Sequence, residues 1–188
     1  EKVWTWNIFN HSQPDEEVFL IRDDWSHANG IDIDSDGNYL ISFRNFDQIW
    51  KVNSVNGNVI WRLGKNGDFD LEKKEVFYQQ HAIHKIDSIH YMLFDNGSSE
   101  YRKTSRALIF SLDEDNKTFN YSKSVFLPDS LFTFKQGSVY SMKNNNYLFS
   151  SSVNNKTIIS DDNGKILWNL SSDHSFYRVY YIDKKKLF

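Results

Sequence analysis

Two histidines and one arginine stand out in this 188-residue sequence because their residue types favour chemistry on an anionic group. His27 lies in the stretch W-S-H-A-N, and His81 lies in Y-Q-Q-H-A-I-H. A neutral imidazole nitrogen can accept a proton or attack an electrophilic centre. Arg102 lies in a long loop that follows F-D-N-G, and its guanidinium offers paired donors to a sulfate, phosphate or carboxylate group. These residues predict an anion-binding site if the fold brings them together.

The elements that must position them are short β-strands arranged in a repeat. Runs of Val, Ile, Tyr, Phe and Trp alternate with Asn, Asp, Gly and Ser turns, which indicates an all-β fold. Residues 39–63 align with residues 147–170, and both copies end in N-G-x-[VI]-[IL]-W-x-L. A more divergent third copy begins at Tyr91. Each unit has about 50 residues and about four strands, which is typical of a β-propeller blade of four antiparallel strands.

The repeat predicts blades at about residues 27–63, 81–127 and 137–170, with incomplete blades at both ends. Residues 2–9 resemble the last strand of a blade, and residues 176–182 resemble the first strand of another. In the first blade we expect strands at residues 30–34, 39–44, 48–53 and 59–63. About three and a half blades leave a ring open, so we expect a segment of a larger propeller or a homo-oligomer that closes the ring.

An aspartate-rich stretch gives a competing signal, because D-x-D-x-D-G, beginning at Asp32, opens many calcium loops. Such a loop needs a glutamate at its twelfth position and helices on both sides, but that position is Phe43 and both flanks resemble strands. The better interpretation is a strand with alternating side chains. Asp32 and Asp34 then point outward, and Ile31 and Ile33 point inward. The following S-D-G-N then forms a hairpin turn. No metal site is predicted.

Composition excludes several functional classes. The net charge is −3 and the only lysine run lies in the last residues, so nothing indicates a nucleic-acid surface. No apolar run reaches the roughly 18 residues that a membrane helix needs. Cysteine is absent, which excludes disulfides and thiol chemistry. The sequence contains no G-x-S-x-G, P-loop or H-E-x-x-H motif, and no cofactor is predicted.

The repeat suggests how the histidines come together. His27 and His81 each lie just before the first strand of a blade, and equivalent positions in successive blades converge on the propeller axis. His174, which also precedes a first strand, could reach the same funnel. The alternatives stay open at this point, since a single histidine in a β protein often serves only as a structural hydrogen bonder. A solvated surface loop is the corresponding alternative for Arg106.

Four stretches in this order resemble the bacterial arylsulfate sulfotransferases, which work without a nucleotide sulfate donor: D-W-S-H-A-N-G-I-D-I-D, G-N-V-I-W-R-L-G, Q-Q-H-A-I-H and F-D-N-G-S-S-E-Y-R-K-T-S-R-A. The resemblance runs from residue 2 to about residue 181. It implies a six-bladed propeller with an additional N-terminal β domain and a periplasmic or extracellular location. It also implies sulfuryl transfer from a phenolic sulfate ester to a phenol through a sulfated histidine, with aryl sulfate and phenol as the small-molecule partners.

The resemblance implies that His27, His81 and Arg102 bind the sulfate oxygens, and His174 is the candidate for the nucleophile or base. His27 matches the W-x-H-x-N histidine and His81 the Q-H histidine, while Arg102 matches the arginine of the F-D-N-G loop at a longer spacing. Further candidates for substrate binding are Asn29, Asn96 and Arg106. The family's carrier histidine is expected in or near the blade that begins at residue 136, where the strands contain none. His174 is the only later histidine, so a non-catalytic binding or scaffolding propeller is the alternative to a transferase.

Overall fold

The computed structural model describes residues 4–14 and 24–182, and this part of the chain contains twelve strands in three sheets. The strands are β1 (Ala28–Ile33), β2 (Tyr39–Phe43), β3 (Gln48–Val52), β4 (Val59–Gly64), β5 (His81–Lys85), β6 (His90–Asp95), β7 (Arg106–Asp113), β8 (Thr118–Phe126), β9 (Ser138–Ser141), β10 (Tyr147–Ser151), β11 (Lys156–Ser160) and β12 (Ile166–Ser171). Each sheet contains four consecutive strands, and every pair of neighbours is antiparallel. The predicted all-β fold with four-stranded antiparallel blades is confirmed.

Helical structure in the described residues is limited to 3-10 turns of three residues, at Ile8–Asn10, Arg44–Phe46, Asp129–Leu131, Lys143–Asn145 and Ser152–Asn154. None of these helices is long and apolar enough to cross a membrane. The strands of the first sheet end within two residues of the predicted positions. The predicted hairpin turn is also confirmed, because Gly37 has φ of 81° and its N–H donates to the Asp34 carbonyl over 2.9 Å.

Two apolar clusters hold the three sheets face to face. One lies between the first and second sheets and includes the buried side chains Leu40, Trp61, Leu93 and Phe110. The other lies between the second and third sheets and includes Met92, Phe94, Phe149 and Ile158. Burial of such side chains stabilises the fold by about 1.5–3 kcal/mol each. This packing fixes the first strands of the three sheets, β1, β5 and β9, relative to one another.

The predicted orientation of β1 is wrong. Ile31 and Ile33 are 65% and 63% exposed, whereas Asp34 is only 3% exposed. Lys51, Lys85 and Tyr91 donate to the Asp34 carboxylate on the side of the first sheet that meets the second. Because side chains alternate along a strand, Ile31 and Ile33 then lie on the opposite face. The Asp34 carboxylate accepts hydrogen bonds over 2.8–2.9 Å from Lys51 Nζ, Lys85 Nζ and the Tyr91 hydroxyl.

This buried ion cluster links the first two sheets at the ends of β1 and β5. Burial alone would raise the pKa of Asp34, but the hydrogen bonds from Lys85, Lys51 and Tyr91 outweigh it and hold that pKa below its ordinary value. Burial would lower the pKa of Lys51, but its bonds to carboxylates outweigh burial and raise it. Both groups are therefore charged at neutral pH.

The terminal segments pack without joining a sheet. Trp4, Trp6 and Ile8 lie against the outer face of the first sheet, and the Trp6 indole N–H donates to the Gly57 carbonyl over 2.8 Å. The described residues of the 2–9 segment form no strand, and neither do residues 176–182, although strands were expected in both. Side-chain contacts hold residues 4–9 against the first sheet. Within the described residues, this segment forms no backbone hydrogen-bond ladder with a strand.

Candidate functional site

His81 is the first residue of β5 and is only 1% exposed. Its Nδ1 lies 2.8 Å from Asn96 Oδ1 and 3.1 Å from the Gln79 carbonyl oxygen. The Asn96 amide nitrogen donates to the carbonyls of Thr133 and Gln136 over 2.7 Å each, which fixes its oxygen toward the imidazole. Because both neighbours of Nδ1 are acceptors, Nδ1 carries the proton and Nε2 carries the lone pair.

The His81 ring is uncharged at neutral pH. Burial lowers its pKa from 6.5 to about 4, and the positive charges of Arg44 and Arg178 push it in the same direction. The hydrogen bonds to Asn96 and Gln79 oppose these effects only in part. A neutral imidazole with a fixed tautomer is suited to act as a nucleophile or a base, and it is a poor source of positive charge for holding an anion.

We expect this buried histidine to make stability depend on pH. Between pH 4 and 6.5 the unfolded chain binds a proton that folded His81 does not, so stability rises with pH across this window and levels off above it. The full change is about 3 kcal/mol. Urea unfolding of the protein and of His81→Gln at several pH values measures it, and the variant should lose this component. His174→Gln, at an exposed histidine, should retain it, and an equal slope in both variants would contradict the assignment.

A β-bulge places a second histidine on the same face of β5. Ala82 has φ of 51°, and the strand register passes from His81 opposite Phe94 to His84 opposite Met92. In a regular strand, residues three apart point to opposite faces, but the extra residue restores the same face. The His84 ring lies 4.9 Å from the Tyr140 ring, and burial lowers its pKa. Sequence analysis missed His84, although the spacing in Q-H-A-I-H was a possible signal.

Two arginines that were not chosen from the sequence approach His81. Arg44 Nη2 donates to Gln79 Oε1 over 3.0 Å and to the Phe134 carbonyl over 3.2 Å. Arg178 Nη2 donates to the Asn29 carbonyl over 3.2 Å, and its buried Nε has no hydrogen-bond partner within residues 4–14 and 24–182. A buried donor without a partner is uncommon and destabilising, so it indicates a place where an acceptor could bind.

The repeat could have identified Arg44. It lies five residues after Tyr39, and Asn96 lies five residues after Tyr91. Each of these two residues directly follows the second strand of its sheet. Because the first and second strands are antiparallel, this position lies beside the start of the first strand. The repeat gives no such signal for Arg178, which lies outside the three aligned units.

The predicted equivalence of His27 and His81 is wrong. Gly30 pairs with Ser42 and His81 pairs with Phe94, and each partner is the third residue after its repeat tyrosine. The first-sheet equivalent of His81 is therefore Gly30. His27 precedes Gly30 by three residues, and a bulge lies between Ala28 and Gly30. His27 therefore corresponds to Gln79 in the second sheet, and both residues have a positive φ, 46° for His27 and 52° for Gln79.

His27 nevertheless lies near the same cluster. Its carbonyl accepts a hydrogen bond from the Arg44 N–H over 3.0 Å, and Arg44 in turn contacts Gln79 beside His81. Its side chain is half-exposed, and Nδ1 pairs with the Asp24 carboxylate. This pairing orients Nε2 as the ring nitrogen available to a ligand.

Arg102 and Arg106 share one buried partner, Asp95, which follows Phe94 at the end of β6. Both pair with the fully buried Asp95 carboxylate, Arg106 through Nε over 2.8 Å. Both also donate to the Val76 carbonyl, over 3.2 Å and 2.8 Å. Arg106 also donates to the Ser124 hydroxyl over 3.1 Å. Both arginines thus hold structural groups around Asp95, and no hydrogen bond joins either of them to the His81 ring within the described residues.

The remaining candidates differ in their surroundings. Asn29 Nδ2 donates to the Gln80 carbonyl over 2.7 Å, while its buried Oδ1 has no partner in the part of the chain that is described. His174 is exposed, and its N–H donates to the Ser172 hydroxyl over 3.1 Å. Within the described ranges, no group of three or more His, Cys, Asp or Glu side chains is arranged to hold a metal ion.

Comparison with known proteins gives one family and several structural similarities. A family model described as arylsulfotransferase (ASST) matches residues 11–173. No curated protein sequence matches this chain. Among solved structures, virginiamycin B lyase from Staphylococcus aureus is 14% identical with a TM-score of 0.46, over 82% of this chain and 44% of the lyase. The chain thus spans less than half the length of that enzyme.

Two other structures are similar at lower TM-scores. Dipeptidyl peptidase 4 from Porphyromonas gingivalis is 18% identical with a TM-score of 0.34, over 86% of this chain and 22% of that one. BamB from Moraxella catarrhalis is 7% identical with a TM-score of 0.32, over 81% of this chain and 66% of that one.

Proposed function

Because the chain belongs to the arylsulfotransferase family, we propose that it moves a sulfuryl group from a phenolic sulfate ester to a phenolic acceptor, with His81 as the carrier. The observation that supports this role is the neutral, buried imidazole whose tautomer is fixed by Asn96 and Gln79. This proposal departs from the sequence-based expectation, in which His81 binds the sulfate and His174 is the candidate for the nucleophile or base.

In the first step the Nε2 lone pair of His81 attacks the sulfur atom. The N–S bond forms as the ester S–O bond breaks, and the bonding electrons leave with the phenolate. The ring becomes positively charged while Nδ1 keeps its proton, and the acceptors Asn96 Oδ1 and Gln79 O stabilise that charge. In the second step an acceptor phenolate attacks the same sulfur, and the N–S electrons return to Nε2.

The surrounding cations and the second histidine complete the mechanism. Arg178, through its buried Nε–H, and the Arg44 guanidinium would hold the sulfuryl oxygens, since guanidinium groups match tetrahedral oxyanions. His27, with Nδ1 paired to Asp24, would accept the proton of the acceptor phenol at Nε2. Because the His27 side chain is half-exposed, it can exchange the proton with solvent.

The test is a transfer assay on the folded protein. With p-nitrophenyl sulfate and phenol we expect release of nitrophenolate, and in the absence of phenol a mass increase of one sulfuryl group on the peptide that contains His81. A folded protein that releases no nitrophenolate, or that carries the label on a different histidine, would contradict the proposal.

The near-complete burial of His81 favours one second candidate, a non-catalytic module that binds sulfated ligands. In that case p-nitrophenyl sulfate binds and protects the protein against unfolding, but no nitrophenolate is released. Binding and release measured on the same sample therefore separate the two functions.

A further inference from the structure

A groove with a volume of about 460 Å³ lies between the first and second sheets, outside the His81 cluster. Its size falls in the range of small-molecule sites, about 300–1,000 Å³. Its walls combine the aromatic and apolar side chains of Phe69, Leu71, Val76, Tyr78 and Tyr101 with polar ones. The polar side chains are the half-buried Asp47 and the exposed Lys65, Asn66 and Asp70. Neither the repeat nor the proposed transfer step gives this groove a role.

The long loop after F-D-N-G builds one wall of the groove. Backbone hydrogen bonds close it on itself, from Ser98 N–H to the Arg102 carbonyl over 2.8 Å and from Arg102 N–H to the Ser98 carbonyl over 3.0 Å. Gly97 has φ of 81°, and a Cβ there would lie 2.4 Å from the Arg102 carbonyl, so only glycine allows this closure. The closed loop holds Tyr101 over Tyr78, with ring centroids 5.3 Å apart and an angle of 23° between the planes.

Arg102 extends this aromatic wall. Its guanidinium carbon lies 5.5 Å from the centre of the Tyr78 ring, so the half-buried Tyr78 ring contacts both this cation and the exposed Tyr101 ring. Stacked rings of this kind present flat apolar surface to a flat ligand. The residues that lengthen this loop relative to the other repeats thus have a structural role, which is to form a recognition surface.

Asp47 provides the polar group. One of its carboxylate oxygens accepts a hydrogen bond from the Gln79 N–H over 2.6 Å, and burial raises its pKa. Burial removes water molecules that would otherwise donate hydrogen bonds to the carboxylate. A neutral O–H donor from a ligand therefore stabilises this carboxylate more than it would stabilise a carboxylate in water. The Gln79 carbonyl contacts His81 Nδ1, so Asp47 and His81 lie on opposite sides of one peptide segment.

We propose that this groove binds a flat aromatic alcohol, with the ring against Tyr78 and Tyr101 and the hydroxyl donating to Asp47. The ligand class follows from the stacked rings, the apolar side chains and the half-buried Asp47 carboxylate, since the other carboxylate of the lining, Asp70, is exposed to solvent. That this alcohol is the acceptor of the sulfuryl group rests on the proposed function; that it binds in the groove does not.

Equilibrium binding of 2-naphthol, measured by its fluorescence without any sulfate ester, tests the proposal. Tyr101→Ala should weaken binding by about three- to tenfold, because the exposed half of the aromatic wall is lost. Asp47→Asn, which keeps an oxygen for the Gln79 N–H, should weaken it by about tenfold. Tyr121→Ala removes a tyrosine of β8 that lies outside the groove and is 37% exposed, against 62% for Tyr101, and it should leave binding unchanged.

The outcomes are separable from those of the transfer assay. If 2-naphthol does not bind, or binds equally to Tyr101→Ala and Tyr121→Ala, the groove proposal is wrong whether or not the protein transfers sulfate. If 2-naphthol binds in the groove but no nitrophenolate is released, only the proposed function fails. Cyclohexanol, which has the hydroxyl without the aromatic ring, should bind more weakly, and equal binding would contradict the stacking argument.

Discussion

We expect His81→Gln to lower kcat for sulfuryl transfer by about a thousandfold or more, because the variant has no nucleophilic nitrogen to carry the group. Glutamine fills much of the same volume and can still donate to Asn96 Oδ1. The loss should therefore appear in kcat, while affinity for p-nitrophenyl sulfate, held by Arg44 and Arg178, changes little. Steady-state kinetics and direct binding of the ester measure the two effects separately.

Two controls make this result interpretable. His84→Gln changes the other buried histidine on the same face of β5 and should keep most of the activity. His174→Gln changes the exposed histidine that the sequence also suggested as nucleophile, and it should have activity close to that of the unchanged protein. If His81→Gln is folded and active while His174→Gln is inactive, the carrier is His174 and our assignment is wrong.

The second large effect concerns stability. Asp34→Asn should lower the free energy of unfolding by about 3–5 kcal/mol, because it leaves the buried ammonium of Lys51 and that of Lys85 without their shared counter-charge. Urea unfolding at neutral pH measures the loss. Asp36→Asn removes a more exposed partner of Lys51 and should cost about 1 kcal/mol or less. Equal effects of the two substitutions would show that burial of Asp34 is not the cause.

Sequence alone predicts the fold of this chain well, for local physical reasons. Strand alternation, the turn residues around Gly37 and the recurrence of Tyr39, Tyr91 and Tyr147 all depend on neighbours in sequence. They identify strands and group them into sheets of four. They do not tell which face of β1 is inside, because the groups that accommodate Asp34 come from β3, β5 and β6.

The site is only partly predictable for the same reason. The Q-H motif identifies His81, and the F-D-N-G motif contains Asn96, which holds it. The motif argument fails for Arg102, whose buried partner Asp95 could not be foreseen. It also fails for His84, which reaches the same face only because one extra residue bulges at Ala82.

The hydrogen bond from Arg178 to the Asn29 carbonyl joins residues 149 positions apart in the chain. Contacts of such sequence separation form late in folding, because a long loop must close before they contribute. Arg178, one of the two cations that lower the pKa of His81, therefore reaches its place only after the first and third sheets have docked on the second. A chain in which only the first two sheets have docked would lack this arginine and also the Thr133 and Gln136 carbonyls that hold Asn96 against His81. Assembly of the His81 cluster is thus coupled to completion of the three-sheet unit, and under the proposed function partly folded molecules would not transfer the sulfuryl group.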